Sequence, residues 1–188
     1  MFNATLKEHL ACMAQLEKMA STIEAAGDRL IETLQNGGKI LICGNGGSAA
    51  DAQHFAAELI GRFEMERPSW PAIALSTDTS ILTSIGNDYG YDQVFSRQVD
   101  GMGQPEDVLI GISTSGNSGN VLRAIGSARQ RKMHTIGLLG CDGGKLKARV
   151  DQAVIVPEKR TARIQEAHIF ILHYWAGHIE NRLTSAPP

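Results

Sequence analysis

Twice in this chain a short, β-branched apolar run empties into a loop of small polar residues at the head of a helix, the signature of strand–helix units in a parallel sheet. The first is Lys39-Ile40-Leu41-Ile42-Cys43, bounded by Gly38 and Gly44 and followed by Asn45-Gly46-Gly47-Ser48. The second is Asp107-Val108-Leu109-Ile110-Gly111-Ile112, which runs into Ser113-Thr114-Ser115-Gly116-Asn117-Ser118. Three further short apolar runs, 71–75, 135–139 and 152–156, also read as strands. Strands alternating with helices specify a doubly wound α/β fold: a parallel five-stranded sheet, flavodoxin-like in type, covered on both faces. With 188 residues and 43% hydrophobic content, the chain is predicted to form a single domain over 1–188, its α/β core spanning 37–188.

Both loops have the chemistry of an anion seat. Glycines let the backbone approach a ligand, and a helix N-terminus offers unpaired N–H groups at the positive end of its dipole. The spacing places Ser48 as an N-cap with Asp51 three residues on, a capping-box pattern. Four hydroxyls in the six residues 113–118 suit a phosphate without a lysine or a metal. The first loop is neither a G-x-G-x-x-G nor a P-loop and could equally be a plain turn, and the second could be a capped turn, but two of them at strand ends of one sheet would face a common crevice, which favours phosphate binding at 113–118. On the first helix His54 and Glu58 are four residues apart and share a face, either as an acid–base or metal-binding pair or as a surface hydrogen bond. Ser76-Thr77-Asp78 starts a short helix toward Ile85, and Gly86-Asn87-Asp88-Tyr89-Gly90-Tyr91-Asp92 has the composition of a loop, at a site or simply at the surface.

Residues 1–36 read as one long amphipathic helix, with Leu6, Leu10, Met13, Leu16, Met19, Ile23, Ala26, Leu30 and Leu34 at three- and four-residue steps. It either packs on its own sheet or pairs with a copy of itself as an oligomerisation helix; its length favours the second. A last helix, about 162–183, carries His168, His173 and His178 at five-residue steps, which do not share one face. A formal net charge of -2 and no long basic run argue against a nucleic-acid partner. Three widely spaced cysteines argue against a disulfide framework, and neither a signal peptide nor a membrane span is expected, so the reading is cytoplasmic.

Taken together, Cys43–Ser48, Asp51-x-x-His54-Phe55-x-x-Glu58, Gly86-Asn87-Asp88, Gly111–Ser118, Asp142-Gly143-Gly144 and Arg163-Ile164-Gln165-Glu166-x-His168 with His173 resemble the sedoheptulose-7-phosphate (phosphoheptose) isomerase family of SIS-domain proteins. The resemblance spans nearly the whole chain. It implies a ketose–aldose isomerase that makes D-glycero-D-manno-heptose 7-phosphate for ADP-heptose and lipopolysaccharide. By the same resemblance Ser113, Thr114, Ser115 and Ser118 hold the phosphate. Asn45, Gly46, Gly47, Ser48, Glu58, Asn87, Asp88 and Gln165 contact the sugar, and Glu58 and His173 form the acid–base pair. His54, Glu58, Gln165 and His173 are implied ligands of one Zn2+ per subunit of a homotetramer with active sites between subunits. An alternative within the same fold is a non-catalytic tetramer that binds the replication initiator. Glu58 discriminates, because those relatives carry no usable base there.

Overall fold

The computed structural model describes residues 1–184. Five parallel strands, β1 (Ile40–Cys43), β2 (Ala72–Ala74), β3 (Val108–Ser113), β4 (His134–Gly140) and β5 (Gln152–Val156), form one sheet in the order β2-β1-β3-β4-β5. Every apolar run read as a strand is one, to within a residue at each end. The helices are α1 (Phe2–Ala14), α2 (Ala20–Gln35), α3 (Gly47–Ile60), α4 (Thr79–Tyr89), α5 (Ser96–Met102), α6 (Gly119–Gln130) and α7 (Thr161–Thr184).

Side chains alternate along a strand, so the sheet feeds two cores. Ile40, Ile42, Val108, Ile110 and Ile112 pack with α2, α3 and α7, whereas Leu41, Cys43 and Leu109 pack with α5 and α6. Trp175 of α7 is fully buried, donates its indole N–H to the Ile23 carbonyl at 2.8 Å and tilts against Phe55 of α3. One side chain thereby fixes α7 against both α2 and α3.

Two elements differ from the sequence reading. Residues 1–36 are not one continuous helix: a 3-10 segment, Gln15–Met19, separates α1 from α2 and ends with Met19 at φ −107°, ψ 0°. The break changes the phase of the apolar stripe. Ile23, Ala26, Leu30 and Ile31 of α2 are buried on the sheet, while Phe2, Leu6 and Leu10 of α1 stay exposed. The polar segment after Ile85 is not wholly a loop either. Asp78 caps α4 by accepting from the Ile81 N–H at 2.9 Å, and the helix continues through Gly86, Asn87, Asp88 and Tyr89 until Gly90 ends it at φ 87°. A good cap and a late glycine stop outweigh local loop composition.

The direction of connection reverses between β1 and β3, so the loops leaving their C-terminal ends flank one crevice. No helix among the described residues is long and apolar enough to cross a membrane.

Candidate active site

The chain leaves β1 through Gly46, at φ 56° and ψ −120°, a backbone conformation that side chains rarely adopt. That turn starts α3 at Gly47, two residues earlier than a serine cap would, so the capping box expected of Ser48 and Asp51 does not form and Ser48 is buried inside the first turn. The α3 N-terminus is left without a side-chain cap. At Gly47 a Cβ would lie 2.2 Å from Gln165 Nε2; glycine lets the amide of α7 come down onto the head of α3. Asp51 is half-buried with its Oδ2 unbonded among the described residues. Burial pushes its carboxyl up to about 6, against a smaller opposing pull from His54.

Across the crevice Ser113 and Ser118 bring their hydroxyls to 2.9 Å, and α6 also begins without a side-chain cap. Thr114 and Ser115 lie between them, with Ser115 exposed. Two uncapped helix heads and a row of hydroxyls thus meet at the reversal point of the sheet. The loops are tied together by a pair the sequence reading missed. Asn45 donates to Asn120 Oδ1 at 2.9 Å, and Asn120 donates back to Asn45 Oδ1 at 2.7 Å. Its only sequence signal is an amide two residues past Ser118, where a helix is just beginning. Asn120→Ala leaves the Asn45 amide unpaired, with an expected cost of about 1–3 kcal/mol in urea unfolding and a rise in KM larger than any fall in kcat.

Farther along α3 from its head, α3 and α7 bring three side chains together, with His54 exposed. His54 Nε2 is 3.2 Å from Glu58 Oε1 and 2.8 Å from His173 Nε2. All three ligand atoms lie within 4.8 Å of one another. Of the histidines on α7 only His173 faces this group. His168 is buried, bonds the Leu139 carbonyl at 3.1 Å and is pulled down to about 4 by desolvation, so it stays neutral; His178 pairs with Asp28. Two imidazole nitrogens and a carboxylate oxygen on one point are a donor set of the kind zinc takes, and the His54–Glu58 separation of 3.2 Å matches the roughly 3.3 Å expected between ligands on a tetrahedral ion. Gln165 stands two turns before His173 on α7, at the Gly47 end of the crevice. Asn87 and Asp88 lie at the exposed end of α4, hydrogen-bonded to each other at 2.7 Å.

A buried clamp, also missed by the sequence reading, holds these two helices in register. Glu180 of α7 accepts from the backbone N–H groups of Phe63, Glu64 and Met65 at 2.8–2.9 Å and from Arg67 Nε at 3.1 Å. Arg67 in turn donates to the carbonyls of Glu58, Leu59, Gly61 and Pro68 and lies over the Trp70 ring. It therefore finishes α3 at the residue that bears the site carboxylate. The same loop stacks Phe63 on the His173 ring, with centroids 5.5 Å apart.

Comparison with known proteins adds to this geometry. The SIS domain family pattern matches residues 5–140. The phosphoheptose isomerase of Trichlorobacter lovleyi is 54% identical over 179 residues, covering 95% of this chain and 91% of that protein. The enzyme of the same name from Helicobacter pylori is 58% identical over 170 residues, covering 90% and 88%. Among solved structures, phosphoheptose isomerase GmhA from Neisseria gonorrhoeae superposes with a TM-score of 0.91 at 49% identity, over 96% of this chain and 97% of that one. A phosphoheptose isomerase from Francisella tularensis gives 0.93 at 38% identity, over 96% of each.

Proposed function

This chain belongs to the phosphoheptose isomerase family of SIS-domain proteins and is a sugar-phosphate isomerase, and from that premise we propose that it converts sedoheptulose 7-phosphate to D-glycero-D-manno-heptose 7-phosphate. The observation that carries the reading is the convergence of Glu58, His54 and His173 on one point between α3 and α7, on a helix whose head stands with the 113–118 hydroxyl loop at the reversal point of the sheet.

In the proposed reaction Ser113, Thr114, Ser115 and Ser118 hold the phosphate with the N-terminus of α6. Asn45, Gly46, Gly47, Ser48 and Gln165 line the sugar, and Asn87 and Asp88 complete the contacts. The Glu58 carboxylate takes a proton from C1 of the ketose while His173 delivers one to the C2 oxygen, giving the enediol. His173 then withdraws the proton of the C1 hydroxyl and Glu58 returns its proton to C2, which yields the aldose. His54, Glu58 and His173, with Gln165 as the fourth ligand that the family resemblance implies, would hold the zinc. When bound, that ion supplies Lewis-acid polarisation of the carbonyl oxygen.

The exposed Leu10 and Phe170 border a groove lined by Met13, Leu16, Ile23 and Tyr174, a surface that supports a homotetramer built through the N-terminal helices. The proposal places the enzyme in the cytoplasm, with a small sugar phosphate as partner and its product feeding ADP-heptose for lipopolysaccharide or another surface glycan.

Incubation of the purified protein with sedoheptulose 7-phosphate, followed by NMR, is expected to give the manno-configured aldose 7-phosphate. No turnover of this ketose under conditions where the protein is folded would refute the substrate assignment. Metal analysis is expected to find one zinc per chain, with affinity lowered by at least about tenfold in His54→Ala and circular dichroism unchanged. Equal zinc content in His54→Ala and wild type would remove His54 from the ligand set.

A further inference from the structure

On the sheet face opposite the α3–α7 cluster, a cavity of about 410 Å³ opens between α6 and the segment that follows β4. Its walls are Arg123, Arg129, Lys145 and Arg149, over an apolar floor of Leu122, Ile125 and Gly126. All four cationic side chains are exposed, so none is held there by core packing. Arg123 meets Asp92 at 3.8 Å at the margin, and Arg129 donates to the Arg149 carbonyl at 3.3 Å. Among the described residues Arg129, Lys145 and Arg149 have no carboxylate within 4.0 Å.

Four like charges around one concavity repel one another, and in a chain of net charge -2 their concentration here is local rather than a reflection of a basic protein. A bound anion relieves that repulsion, and three guanidinium groups with one ammonium match several phosphoryl oxygens by charge-assisted hydrogen bonds. A single phosphoryl group, with about −1.5 to −2 charges at neutral pH, leaves about half of the four positive charges unneutralised. The apolar floor accepts a flat or aliphatic moiety beside the charged part.

The geometry points to a second ligand site, separate from the sugar-phosphate crevice, for a small metabolite carrying two or more phosphoryl groups. The site is not remote from catalysis. The Lys145 backbone N–H donates to Asn117 Oδ1 at 3.1 Å, the Leu146 N–H donates to the Gly116 carbonyl at 2.9 Å, and Asn117 Nδ2 donates to the Ser115 carbonyl at 2.8 Å. The wall that bears Lys145 is therefore bonded directly to the hydroxyl loop.

Isothermal titration of the full-length protein with inorganic pyrophosphate, at about 0.15 M ionic strength to screen diffuse attraction, tests the site. Wild type is expected to show a binding event that weakens by at least about tenfold in Arg129→Ser/Arg149→Ser. It is expected to survive in Ser115→Ala/Ser118→Ala, and to be at least about tenfold tighter for pyrophosphate than for sulfate, because two phosphoryl groups reach more of the cations. Both arginines are exposed, so circular dichroism of the double variant should match wild type. Unchanged affinity in the arginine variant, loss of all binding in the serine variant, or equal affinity for sulfate would each overturn the proposal. The serine variant also separates failure of this site from failure of the phosphate assignment at 113–118.

Discussion

Glu58→Gln is expected to lower kcat on sedoheptulose 7-phosphate by about 10²–10⁴-fold, the range lost when a positioned general base is removed. The amide keeps the size of the carboxylate and one of its oxygens, so crevice shape and sugar-phosphate binding should change little. KM is expected to move less than kcat, the pattern of an interaction used in the transition state rather than in the ground state. Stability should stay near wild type, because the clamp uses the Glu58 backbone carbonyl and not its side chain. Steady-state kinetics beside a thermal melt check both halves. A variant that turns over at the wild-type rate would take the base assignment away from Glu58.

Glu180→Ala carries the largest expected cost in stability. Both side chains of the Arg67–Glu180 pair are 1% exposed, and losing the carboxylate leaves a guanidinium charge buried without its partner, a loss of about 3–5 kcal/mol. For a chain of this length that is a fall in Tm of roughly 2–4 °C per kcal/mol. Simple buried ion pairs can often be replaced by apolar side chains at no cost. This one differs, because it satisfies the N–H groups of Phe63, Glu64 and Met65 and the carbonyls of Glu58, Leu59, Gly61 and Pro68. The double change Arg67→Met/Glu180→Leu is therefore expected to stay destabilised, and to lose activity as Phe63 releases His173. Burial alone would raise the Glu180 carboxyl, but the three backbone N–H bonds and Arg67 outweigh it and hold it below the ordinary carboxylate range. The contribution is thus fully present above the unfolded-state pKa and is lost as pH falls through the lower folded one. Acid unfolding of wild type should lose this term, whereas Glu180→Ala should show a shallower acid limb.

The sheet was legible because each strand is a short apolar run flanked by turn residues, and burial on both faces leaves such runs little else to do. The hydroxyl loop and the His54/Glu58 spacing were legible for a similar reason: local periodicity decides which side chains share a face. His173 joining that pair could not be read from spacing within α7; it needs the packing of α7 along α3, which Trp175 sets from the core. Asn120 and the Arg67–Glu180 clamp were hidden because each links segments 75 and 113 residues apart, and a single polar residue in an apolar stripe gives no sign of its partner. Ser48 misled because a serine after two glycines has the composition of a cap, whereas the positive φ at Gly46 had already begun the helix.

The account stands on proton transfer at carbon by a carboxylate in the α3–α7 crevice. Running the reaction on sedoheptulose 7-phosphate in deuterated water and reading the product by NMR tests this most directly. Wild type is expected to place solvent deuterium at C2 of the aldose, and Glu58→Gln to lose isomerisation and exchange together. Conversion with no deuterium in the carbon skeleton at any extent of reaction, or exchange that persists undiminished in Glu58→Gln, would contradict it.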